Sequence, residues 1–290
     1  MERLADQGRA DLALATDRLT SQLLRYRELA VLLTDHPDLQ SLLFDGGDRD
    51  AADLLVREAA DKTGARSVEL VDAAGRVLAS SNPPGAPRDP RAAPLARALD
   101  GALGTAHRIV PRGDAARARV FSFAAPLYGP TGPAMGAIVS AVDVSTIENN
   151  WPGNAPAAFF VDDGGTVFTS NRSGLLLTRL GPGTGQSFPQ HSVRPLAGHD
   201  LWTLDGGRYL PDRALHLARD VPAIGLHAHV LLDAGPTLRS GVLVGGATAA
   251  LFLVFGAAML VAVQQRRALR DRLAVEATAN ARLEARVTER

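Results

Sequence analysis

The chain contains no cysteine, which excludes disulfide frameworks, thiolate nucleophiles and thiolate metal sites. Lysine is nearly absent as well. Lys62 is the only one, and the other basic residues are arginine. Aromatic residues make up 5% of the chain, too few for a base-stacking surface. An excess of either charge is also missing, because 31 Lys and Arg balance 31 Asp and Glu. No overall field therefore draws the protein to nucleic acid or to an acidic partner. What remains is a chain of 290 residues, 46% hydrophobic, long enough to bury a substantial core in one or two domains.

One apolar run dominates the pattern. Residues 241–263, GVLVGGATAALFLVFGAAMLVAV, carry no charged side chain. A helix of about 20 such residues spans the roughly 30 Å hydrocarbon core of a bilayer, and it satisfies its backbone polar groups internally. Arg266, Arg267, Arg270 and Arg272 follow it, while Arg239 stands alone before it. The positive-inside tendency places residues 264–290 in the cytoplasm and residues 1–240 outside. The N-terminus, MERLADQGRADLALATDRL, is charged throughout and lacks the apolar stretch of an export signal. A membrane-crossing segment ahead of Met1 is therefore expected.

Within residues 1–62, Leu12, Ala15, Leu19, Leu23, Tyr26, Ala30 and Leu33 recur at steps of three and four, the stripe of a long helix. It should end near His36, because Pro37 disfavours helical geometry in the residue before it. A shorter helix over residues 50–62 ends at Gly64. Residues 68–80, VELVDAAGRVLAS, then read as strand, tight turn and strand. Ninety residues later AFFVDDGGTVFTS repeats the arrangement, with Asp72 matching Asp162, Gly75 matching Gly165, Val77 matching Val167 and Ser80 matching Ser170. Further strands are expected over 120–126 and 136–144 after the first hairpin, and over 208–217 and 226–232 after the second. The break falls in the loop at residues 151–154. The expected fold class is α+β: a helical stalk over 1–62, tandem α/β units over 63–151 and 152–238, a transmembrane helix over 241–263 and a helix over 264–290.

The stretches RYRELAVLLTDHPDLQSLL, VELVDAAGRVLASSN, GAIVSAVDVSTIENNW and AAFFVDDGGTVFTSN, in this order and ahead of a membrane helix, resemble the double Cache (PDC-like, PAS-like) sensor region of bacterial receptors. Dicarboxylate-sensing histidine kinases are similar. The resemblance implies an extracytoplasmic small-molecule sensor in a bacterial inner membrane, a homodimer forming part of a two-component system. A kinase domain using ATP and Mg would lie beyond Arg290 and act on a response regulator; no cofactor is expected in these residues. Chemotaxis and cyclic-dinucleotide receptors share the architecture, while a membrane-anchored hydrolase and a coiled-coil scaffold are alternatives of another class.

In such proteins the membrane-distal unit holds its ligand between the sheet and an overlying loop, here residues 83–104. Arginine suits an anionic ligand because its planar fork donates two parallel hydrogen bonds to a carboxylate. Arg88, Arg91 and Arg119 are the candidates for this role. Asp143 matches an aspartate that faces the ligand ammonium in amino-acid-binding relatives; alternatively it caps the helix starting near Ser145. Two features of the dicarboxylate sensors are missing. RAAPLARALDG stands where they carry an Arg-Pro-Tyr-Phe segment, and Ala141 stands where they carry a lysine. A small carboxylate or zwitterion is the expected ligand.

His227 and His229 share one side of a strand without a third metal ligand, and a solvent-facing pair is expected. Residues 181–187 lack the Gly-Lys-Ser/Thr ending of a phosphate loop. After the membrane, Leu269, Leu273, Glu276, Asn280, Leu283 and Val287 fall at heptad seam positions, four of the six suiting a parallel coiled coil.

Overall fold

A computed structural model describes the chain except residues 84–85, 113–115, 130–131, 150, 153–154, 197 and 289–290; side chains at 112, 116, 208, 240–245, 267–269 and 271–290 are also outside the described set. The chain divides into two compact units, Met1–Ala234 and Gly235–Arg290.

The first unit opens with α1 (Glu2–Thr34). Its buried face is Leu12, Leu19, Leu23, Tyr26, Ala30 and Leu33, extended towards the start by Ala5 and Gly8. Pro37 does more than stop this helix. It is the first residue of α2 (Pro37–Asp45), where its missing N–H is no loss. In α3 (Arg49–Thr63), the Asp48 carboxylate accepts from the backbone N–H groups of Asp50 and Ala51, and Gly64 closes the helix at φ 70°.

Two antiparallel sheets follow. The first contains β1 (Ser67–Asp72), β2 (Val77–Ser80), β3 (Gly104–Arg112), β4 (Ala116–Tyr128) and β5 (Ala134–Asp143), in the order β2-β1-β5-β4-β3. Helix α4 (Leu95–Leu99) lies between β2 and β3, and α5 (Val144–Glu148) follows β5. The second sheet contains β6 (Ala157–Val161), β7 (Val167–Ser170), β8 (His191–Leu196), β9 (His199–Leu204), β10 (Arg213–Val221) and β11 (Leu226–Asp233), in the order β7-β6-β11-β10-β9-β8. With β8 set aside, the two orders are the same.

The duplication reaches the hairpin atoms. The Asp72 carboxylate accepts from the N–H of Arg76 at 2.8 Å, and that of Asp162 from the N–H of Thr166 at 2.8 Å. Gly75 and Gly165 adopt φ 83° and 82°, a region that favours glycine. The register of each hairpin slips at the same place, Leu70/Val71 and Phe160/Val161. The core between sheets and stalk joins α1 residues such as Leu19 and Leu23 to Phe121 and Phe123 of β4 and to Phe160 and Val230 of the second sheet. Both sheets therefore rest on one helix, as two similar α/β units.

In the second unit, α6 (Gly235–Thr288) is a continuous helix. Its span Gly246–Arg266 is long and apolar enough to cross a membrane, with mean hydropathy 2.3 and none of it buried. It overlaps the expected 241–263 from Gly246 onward, the side chains of residues 240–245 lying outside the described set. The seam proposed for Leu273, Glu276, Asn280, Leu283 and Val287, like Leu269, lies outside the described side chains.

Candidate functional site

Residues 88–95 lie over the outer face of the first sheet, opposite α1, and enclose a pocket. Their backbone is pinned where Arg88 N–H donates to the Gly75 carbonyl at 2.8 Å. The approach is close: a Cβ on Gly75 would lie 2.0 Å from the Arg88 oxygen. The Arg88 side chain then reaches down to the sheet, where Nε and Nη2 grip both oxygens of Glu69, the Nε bond at 2.9 Å. This hydrogen bond raises the Arg88 pKa above its usual value. Glu69 is 6% exposed; a carboxylate at that depth is retained because a fixed cation answers it.

Strand alternation sets the rest of the lining. Arg108 of β3, Ser122 of β4, Val139 and Ala141 of β5 and Glu69 of β1 face the pocket, with Asp89 and Ala92 of the covering segment opposite. The ladder explains this sharing of a face, since Ser122 opposes Ala141, and Glu69 opposes Val139. Arg108 is exposed, and no ion pair joins it to another described residue. It is a cation available to a ligand.

Of the four expected binding residues, Arg88 lines this pocket. Arg91 is exposed on the outer side, where its N–H donates to the Asp89 carboxylate at 2.9 Å. Arg119 lies elsewhere, which corrects its grouping with Asp143 around one cavity. It is in phase with Phe121 and Phe123 on the face turned towards α1, and it is 7% exposed. There it holds Glu148 of α5 with two bonds at 2.5 and 2.6 Å and donates to the Phe168 carbonyl of β7 at 2.9 Å. Glu148 also accepts from Thr169 Oγ1 and from the Ser170 N–H. The group is a buried tie between the two sheets. Asp143 caps α5, accepting from the N–H and the Oγ of Ser145 at 3.1 and 2.7 Å, with Arg66 3.6 Å away.

Glu69, Arg108 and Ser122 are the pocket residues that the sequence reading missed. The phase of Arg119 with Phe121 and Phe123 was the available signal for its inward position. Nothing local marks Arg108, because β3 shows no clean alternation.

The second sheet presents the corresponding face with different contents. A stack of rings crosses five strands. His191 lies on Trp202 at 4.2 Å, Trp202 on His216 at 4.0 Å, His216 on His229 at 5.2 Å and His229 on Phe159 at 5.0 Å. His216 Nε2 and His229 Nδ1 share a hydrogen bond of 2.9 Å. Burial, and then neighbouring histidines, lower both pKa values to about 4. His229 is therefore packed, which corrects the solvent-facing expectation. His227 is exposed between Asp220 and Asp163. Among the described residues no group of His, Asp and Glu has the geometry to hold a metal ion.

No protein-family model matches the chain. It is 29% identical, over 307 aligned positions and its whole length, to the C4-dicarboxylate transport sensor protein DctB of Pseudomonas aeruginosa. The chain spans about half of that relative, 48% of its length. The solved sensor domain of the V. cholerae histidine kinase DctB superposes with TM-score 0.65 at 17% identity, covering 80% of this chain and 98% of the domain. The ligand-binding domain of the Pseudomonas aeruginosa amino acid chemoreceptor PctB, in complex with L-Arg, superposes with TM-score 0.53 at 15% identity, covering 82% and 98%. The chain thus shares the fold of these two domains and is similar throughout its length to a C4-dicarboxylate transport sensor protein.

Proposed function

We propose that this chain is the ligand-sensing and membrane-spanning part of a sensor histidine kinase. Residues 1–240 lie outside a bacterial inner membrane, and residues 264–290 begin the cytoplasmic signalling helix of a homodimer. A kinase domain beyond Arg290, supplied with ATP and Mg, passes the signal to a response regulator. The apolar span of α6 and the arginines after it support this topology, and the likeness to DctB supports the output.

The observation that carries the reading is the covered pocket of the first sheet with Arg108 on its wall. Its chemistry favours a small zwitterion over a dicarboxylate. Arg108 is free to bind one carboxylate, whereas Arg88 is already committed to Glu69. A second carboxylate would face Glu69 and Asp89, the groups that an ammonium would seek. Ala141 puts a methyl group where a lysine could have received a second anion.

The test uses the full chain in lipid nanodiscs, screened by thermal shift against small carboxylates and amino acids, followed by calorimetry. Arg108→Ala should weaken the best ligand by about ten- to a hundredfold, the value of a charge-assisted hydrogen bond, with unchanged melting of the free protein. Equal affinity in wild type and variant would refute the site, and a preference for dicarboxylates over amino acids would refute the ligand class.

A further inference from the structure

A second cavity lies away from the covered pocket, where α1, the residue pairs 151–152 and 155–156, and the second sheet meet. Its walls are largely apolar, from Leu14 and Ala15 of α1, from Pro152 and Pro156, and from Val230 of β11. Two polar atoms break this surface. Asp11 Oδ2 and Trp151 Nε1 are both buried, and neither has a hydrogen-bond partner among the described residues. Both residues line the cavity, as does the guanidinium-bearing Arg18, about two turns further along α1 than Asp11.

Unsatisfied buried polar atoms are rare because each loses its water without replacement. Here the pair is complementary, an anionic acceptor and a neutral donor on one apolar chamber. Asn171, the other polar lining residue, is already engaged: its Nδ2 donates to the Pro156 carbonyl and its Oδ1 accepts from the Ala158 N–H. The open valences are therefore those of Asp11, Trp151 and Arg18.

We propose that this cavity is a second binding site, for a short amphiphilic zwitterion. The ligand ammonium donates to Asp11, its carboxylate accepts from the Trp151 N–H and from Arg18, and its apolar side chain fills the Leu14–Val230 chamber. The site uses none of the residues of the covered pocket, so the two proposals stand or fall separately.

The chain contains two tryptophans, which gives the test a local reporter. Full-length protein in nanodiscs is labelled with 5-fluorotryptophan and titrated with norvaline, followed by fluorine NMR. Pentanoate and butylamine, which lack the ammonium and the carboxylate respectively, are the controls. The Trp151 resonance, assigned by its loss in Trp151→Phe, should shift saturably with norvaline and at least tenfold more weakly with either control. Asp11→Asn should weaken norvaline at this resonance by about tenfold or more, and Arg108→Ala should leave it unchanged. Circular dichroism melting checks that each variant is folded. If Trp151→Phe fails to fold, Trp202→Phe assigns the resonance instead. Absence of a saturable Trp151 shift, or an equal response in Asp11→Asn, would overturn the proposal and leave the two atoms to ordered water.

Discussion

Ninety residues apart, Glu69 and Phe159 occupy the same place in two sheets whose strand orders agree once β8 is set aside. The registers extend the match. Glu69 opposes Val139 as Phe159 opposes His229; two residues further along those strands, Ala141 opposes Ser122 as Leu231 opposes His216. Arg108, opposite Val120, corresponds to Trp202, opposite Ala214. One face thus holds a glutamate, a serine and an arginine beneath a covering segment. Its counterpart holds a phenylalanine, a histidine and a tryptophan in one stack, with His229 between Phe159 and His216. Duplication preserved the strand order and hairpin, where turn chemistry is strict, and left the outer face free to diverge. One copy kept room and charge there, and the other closed the space with rings.

Removing the tie between the copies should have the largest effect. Arg119→Ala leaves Glu148 buried without its cation, since the two side chains are only 8% and 10% exposed. Loss of one partner of such a pair costs about 3–5 kcal/mol. A denaturant midpoint unchanged from wild type would show that the sheets do not depend on one another for stability.

Acid should discriminate between the faces next. His216 and His229 titrate near 4 when folded, against about 6.5 when unfolded. Below pH 6.5 the unfolded chain takes up protons that the folded pair refuses. Their contribution is therefore complete above that pH and fades as pH falls towards 4. At about 1.4 kcal/mol per unit, the loss is of order 3 kcal/mol for each histidine. His107, whose pKa burial also lowers, adds to the same slope. Melting temperature against pH should fall less steeply in His216→Phe than in wild type. Parallel curves would show that the ring stack plays no part in acid sensitivity.

The smallest difference lies within the hairpins. Alanine at a left-handed glycine costs about 1–2 kcal/mol from the backbone alone, so Gly75→Ala and Gly165→Ala should both destabilise. Gly75→Ala should cost more, because its Cβ would meet the Arg88 carbonyl at 2.0 Å, against 2.8 Å from Leu180 for Gly165. It should also weaken ligand binding by displacing the covering segment. Equal melting of the two variants would mean that this segment yields without cost.

These contrasts also mark what the sequence made legible. The DxxG hairpins and the α1 stripe were readable because each follows from neighbours a few residues apart. Helix α2 was hidden because Pro37 reads equally well as a stop and as a start. Strand β8, HSVRPL, is exposed along its whole length and offers no alternation to detect. The site was harder still. Arg119 carries the residue type of a carboxylate binder, but its partner Glu148 is brought to it only by the meeting of the two sheets. Arg88 fell inside the pocket, yet its sequence gave no hint that Glu69 would occupy it.

The close fit at Gly8 has a mechanical consequence. A Cβ there would stand 2.5 Å from Leu232 Cδ1 and 2.7 Å from Leu217 Cδ1, so the first turns of α1 lie against the final residues of β11. The helix departs from the point at which the strand arrives. A load applied between these two places would therefore be borne first by the contact of Gly8 with Leu232 and Leu217.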